Sequence, residues 1–107
     1  VVEKPVVNAV QIYLRRLQQR GLPITFGVVF GSQATGKVHQ WSDIDLIVVS
    51  PAFDGKMDYS TVVSLRTTAG PIDSRLEPIP CGEIEWREDD SRAIVEIARR
   101  EGEIIYP

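Results

Sequence analysis

Three shortages in the chain each remove a class of function. One cysteine, Cys81, excludes an intrachain disulfide and a cysteine-built metal cluster. It fits a reducing compartment, so a cytoplasmic location is expected. Twelve Lys and Arg against fifteen Asp and Glu leave a net charge of −3. A dedicated nucleic-acid binder would carry the opposite, basic footprint, so nucleic acid is not expected as a partner. No apolar stretch approaches the roughly 18 residues of a membrane span, and no charged-then-apolar signal segment opens the chain. No membrane association is expected. The first residue is Val rather than Met, which points to processing, cloning or truncation. Neither G-x-x-x-x-G-K-[ST] nor G-x-G-x-x-G occurs. No repeat, low-complexity segment or linker divides the 107 residues, so 1–107 is expected to form one domain.

What the chain has is patterning. Val6, Val7, Val10, Tyr13, Leu14 and Leu17 recur at three- and four-residue steps, predicting a helix over 4–20 with Pro5 in its first turn and Gly21 at its end. ITFGVVF at 24–30 and the apolar run at 44–49 predict two buried strands. A short helix or turn is expected at 32–37, a loop at 51–58 and a helix at 59–68. Residues 72–80, IDSRLEPIP, predict a strand that Pro78 and Pro80 interrupt near its end. Residues 90–101 predict an amphipathic helix with Ile94, Ile97 and Ala98 inward, and 103–106 a last strand. The order α, β, (α), β, α, β, α, β describes an α/β or α+β domain.

The candidate chemistry lies in 30–46, FGSQATGKVHQWSDIDL. Strand alternation puts Asp43 and Asp45 on one face, about 6–7 Å apart at ~3.3 Å per residue. Like charges this close raise each other's pKa, and a cation between them relieves the penalty. Mg²⁺ takes one or two carboxylates of this kind together with substrate phosphates. The plain alternative is a turn cap at Ser42-Asp43 and a solvent-facing Asp45, but a carboxylate inside an otherwise buried run is costly without a partner. Gly31 permits a tight turn and close ligand approach. A helix starting near Ser32 would aim free N–H groups at an anion, with Lys37 adding charge. A two-metal site needs a further carboxylate. Asp73 and Glu77 both offer one, on one face of the 72–80 strand with Arg75 between them.

Gly31-Ser32, ten residues, then Asp43-x-Asp45 resembles the G-S-x10-D-x-D signature of the minimal nucleotidyltransferases of the DNA polymerase β-like superfamily. Phe30, Gly36 and Ser42-Asp43-Ile44-Asp45-Leu46 fit the same wording. Ile72-Asp73-Ser74-Arg75-Leu76 resembles the strand that carries the third aspartate, and the ending REGEIIY resembles the family's last helix and strand. The likeness runs over nearly the whole chain. It implies an α+β fold, an α/β sandwich with a small mixed sheet flanked by helices. It implies two Mg²⁺ ions on Asp43, Asp45 and Asp73, with Glu77 as the alternate. ATP would be the substrate, its triphosphate held by Gly31 and Ser32, with Lys37 and Asp43 contributing to nucleotide binding. Asp73 would help deprotonate an acceptor hydroxyl that attacks the α-phosphate and releases pyrophosphate. Gln33 and His39 stand where relatives often have Arg, and Trp41 is expected to pack beneath the loop.

The chain is expected to lack the extra helical domain of larger relatives, leaving the acceptor site shallow or supplied by a partner. Many minimal relatives are antitoxins encoded beside a HEPN ribonuclease toxin, and some adenylylate a toxin tyrosine. The resemblance implies that activity here, with a homo-oligomer compatible. The alternative is a non-catalytic antitoxin that neutralises a helical partner by contact.

Overall fold

The computed structural model describes residues 2–36, 42–55 and 57–107. Lys37, His39 and Trp41, singled out above, lie outside the described residues. Helix α1 (Lys4–Gln19) buries Val6, Val10, Tyr13, Leu14 and Leu17, the stripe its spacing predicts. Strands β1 (Phe26–Phe30) and β2 (Ile44–Ser50) pair antiparallel, with Phe30 opposite Asp45. The short helix α2 (Ser32–Thr35) begins the connection between them. After a 3₁₀ turn at Pro51–Phe53, helix α3 (Tyr59–Ala69) crosses over to β3 (Leu76–Gly82), which runs parallel to β2. Helices α4 (Glu83–Glu88) and α5 (Ala93–Glu101) precede β4 (Glu103–Ile105). The sheet order is β3-β2-β1-β4, three antiparallel or parallel pairings in one mixed sheet.

The sheet is covered on both faces. Val29, Ile44, Leu46, Val48 and Ile105 pack with the apolar stripe of α1 and with Leu65 and Ala69 of α3. Buried Tyr13 donates its hydroxyl hydrogen bond to the Leu65 carbonyl at 2.9 Å, tying the two helices together. On the other face Val28, Phe30, Ile47, Val49 and Cys81 pack with Val95 and Ala98 of α5 and with Trp86 of α4. The result is an α+β fold in three layers. α4 follows directly from the Gly82 end of β3, so it covers the end of the sheet opposite Asp45.

Three expectations need correction. The strand expected over 72–80 starts only at Leu76. The Ala69 carbonyl accepts from the amides of Ile72 and Asp73, and the Asp73 carboxylate accepts from the Arg75 amide, so 70–75 is spent in turns. Asp73 therefore does not share a strand face with Glu77. β3 also continues through Pro78 and Pro80 to Gly82, which an edge strand tolerates because its outer N–H groups have no ladder partner. Second, α4 is unanticipated. Its first amides, of Ile84 and Glu85, donate to the Asp54 carboxylate, a cap supplied from about thirty residues away. Gly82 makes room for it, since a Cβ there would lie 1.9 Å from Asp54 Oδ1. Third, the last helix starts at Ala93, and Val95 with Ala98 forms its buried side, whereas Ile94 and Ile97 are exposed.

Candidate active site

Of the seven residues of β2, six are buried and Asp45 alone is not. It sits at the strand's opening end, on the face that continues through Ile47 and Val49 into the α5 side of the core. Desolvation raises the Asp45 pKa above its ordinary value, and the charges of Asp43 and then Glu77 raise it further. The three carboxylates thus share one local field. Asp43 is exposed just ahead of the strand, and Glu77 stands opposite Asp45 on β3.

The turn after β1 is built around Asp45. Gly31 has φ 71° and ψ −147°, a conformation open essentially to glycine. A Cβ there would also lie 2.5 Å from Asp45 Oδ2, so the carboxylate rests directly on the glycine backbone. Ser32 opens α2, where the first amides of a helix have no carbonyl partner within it. Gln33 is buried and turned back toward the strand. Its Nε2 donates to the carbonyls of Ser42 and Asp43, each at 3.4 Å. It joins the Gly31-Ser32 turn to the approach of Asp43 and Asp45. In the sequence this residue stood out only as a Gln where relatives often have Arg. Its structural role lies in one neutral amide nitrogen that donates to both carbonyls.

The two candidates for a third carboxylate differ in their surroundings. Asp73 Oδ1 and Oδ2 accept from Arg75 Nε at 3.1 Å and Nη2 at 2.9 Å, and Oδ1 also accepts from the Arg75 amide at 3.0 Å. Those hydrogen bonds hold its pKa below the ordinary value. Glu77 instead faces Asp45 across the β2–β3 pairing, and its one ion pair among the described residues is to Arg66 of α3 at 3.6 Å. Arg66 carried no sequence signal.

The donor set suits a divalent cation. It consists of hard oxygens, one of them half-desolvated and repelled by two neighbours, with no Cβ at Gly31 to crowd them. Among the described residues no three His, Cys, Asp or Glu side chains are already gathered into a metal cage. Mg²⁺ does not require one, because it keeps waters and takes substrate phosphates beside one or two carboxylates. Cavities of about 230 Å³ (Leu17, Arg20, Leu22, Ser64, Leu65) and about 370 Å³ (Phe53, Asp54, Ile84, Glu85) lie elsewhere and include none of these residues. No helix among the described residues is long and apolar enough to cross a membrane.

The model of the nucleotidyltransferase domain family matches residues 10–104. No curated protein matches the chain. Among solved structures, one of a toxin-antitoxin with AMP-PNP is similar at a TM-score of 0.61 and 18% identity, over 90% of this chain and 72% of that one. The likeness shows a shared α+β fold.

Proposed function

The chain belongs to the nucleotidyltransferase domain family, and from that premise we propose that it is a Mg²⁺-dependent enzyme transferring AMP from ATP to a protein hydroxyl. The acceptor in this reading is a tyrosine of a HEPN-type toxin, which makes the chain an antitoxin. The observation that carries the reading is Asp45, the one residue of a buried strand left unburied, resting on Gly31 between the charges of Asp43 and Glu77.

Asp43, Asp45 and Glu77 would hold two Mg²⁺ ions, which when bound supply a Lewis acid at the α-phosphate and ease deprotonation of the acceptor. Glu77 takes the place first given to Asp73, because Asp73 is engaged by Arg75. Gly31 and Ser32 receive the triphosphate through the first amides of α2 and the Ser32 hydroxyl. The acceptor oxygen bonds to the α-phosphorus, the bond to pyrophosphate breaks, and Glu77 takes the hydroxyl proton. The toxin partner is supported by the similar solved structure, which is of a toxin-antitoxin with AMP-PNP.

A second reading, neutralisation by contact alone, has its own support in the exposed Ile94, Ile97 and Ile104. The pair Asp43→Asn with Asp45→Asn separates the two. The enzyme reading expects loss of labelled AMP transfer with partner binding intact. Undiminished neutralisation, with no transfer by the wild type, would sink it.

A further inference from the structure

Arg66 stands one turn before the end of α3, whose buried residues Leu65, Thr68 and Ala69 fix it beside β3. Its guanidinium Nη1 lies 3.6 Å from Glu77 Oε2, and the two side chains are 67% and 41% exposed. The pair is therefore loose and solvated, not a structural clamp. Among the described residues, Arg66 is the one cation ion-paired to any of the carboxylates Asp43, Asp45 and Glu77. Glu77 in turn stands directly across from Asp45.

We infer that Arg66 is a positioning residue that serves as counter-ion of the metal-free site, and that Glu77 exchanges Arg66 for the metal. The inference rests on the reading that Asp43, Asp45 and Glu77 hold the metal. Three carboxylates and no cation would repel one another, so a neighbouring guanidinium on an exposed stem lowers that repulsion. The same charge opposes an incoming divalent ion. Metal alone then binds weakly, and a metal arriving with a triphosphate, which carries its own negative charge, is opposed less. The device favours loading of metal together with nucleotide.

The test is titration with Mn²⁺ alone, and with Mn²⁺ plus AMP-PNP, followed by electron paramagnetic resonance of the free ion. Arg66→Gln is expected to tighten Mn²⁺ binding in the absence of nucleotide by about three- to tenfold at low salt, the size set by one unit charge at side-chain distance in a mostly aqueous surrounding. The gain is expected to shrink once AMP-PNP is present. Arg66→Lys keeps the charge and is expected to behave as the wild type. Combining Arg66→Gln with Glu77→Gln is expected to erase the gain. Thermal unfolding is expected to change little in Arg66→Gln, because the pair is exposed. Unchanged Mn²⁺ affinity in Arg66→Gln, with clear binding by the wild type, overturns this inference and leaves the metal site standing. No Mn²⁺ binding by the wild type, even with AMP-PNP, overturns both.

Discussion

Asp45 is held where its charge is unwelcome. Its folded-state pKa is raised by burial and by Asp43 and Glu77, from an unfolded value of about 3.9. The folded state therefore binds the proton more tightly than the unfolded one, and stability falls as pH rises from the unfolded pKa through the folded one. At neutral pH the ionised carboxylate destabilises the fold. Asp45→Asn is expected to raise the melting temperature at pH 7, by less than about 4–8 °C because the group is only partly desolvated. The gain should vanish near pH 3. Thermal scans across that range check it; a lower melting temperature at pH 7 would show that Asp45 is structural. The assignment of the third carboxylate is also a residue question. Glu77→Gln is expected to lower AMP transfer by at least about 100-fold, the upper range for loss of even an outer partner of a metal ligand, and Asp73→Asn by under about tenfold. Initial rates of labelled transfer compare them, and the reverse order would restore Asp73. Asp43 and Asp45 were legible in sequence because a carboxylate inside an apolar run is anomalous in itself. The difference between Asp73 and Glu77 was not, because it depends on where a strand begins.

At the scale of elements, periodicity marked those that bury a face by their own residues. α1, β1 and β2 follow their apolar spacing to within about two residues. The misread elements take their definition from distant partners. β3 begins late because Asp73 turns the chain onto Arg75, and α4 exists because Asp54 caps it from another loop. On α5 Ala98 faces the core as expected, but Ile94 and Ile97 are exposed and Val95 takes their place against the sheet. Arg99 shows the same dependence. Its place in the last turn of α5 suggests only a charge that complements the end of its own helix. Instead its guanidinium donates to the carbonyls of Glu85, Trp86 and Asp89 at 2.5–2.6 Å, and it lies 5.6 Å over the Trp86 ring. It gathers the C-terminal carbonyls of α4 onto α5. Arg99→Lys keeps the charge and loses the planar fork. The expected cost is about 1.5–3 kcal/mol, the range for hydrogen bonds to a charged group. Urea unfolding measures it, and a loss below about 0.5 kcal/mol would mean that a point charge suffices.

For the whole molecule, the fold sets where chemistry can occur. The order β3-β2-β1-β4 places Asp45 and Glu77 on adjacent strands, with Gly31 just past the end of β1, at one end of the sheet, while α4 and its Asp54 cap occupy the other. Covering both faces of the sheet leaves the strand ends as the place for a ligand. In the proposed reaction this arrangement would serve the nucleotide donor. In the antitoxin reading a partner protein would supply the acceptor. The measurement that meets the central claim most directly is incubation of the wild-type chain with Mg²⁺, ATP labelled at the α-phosphate and the protein encoded beside it. The account predicts Mg²⁺-dependent label on that partner, retained through denaturation and absent with Asp43→Asn plus Asp45→Asn. An unlabelled partner with every one of the four nucleotides would contradict it.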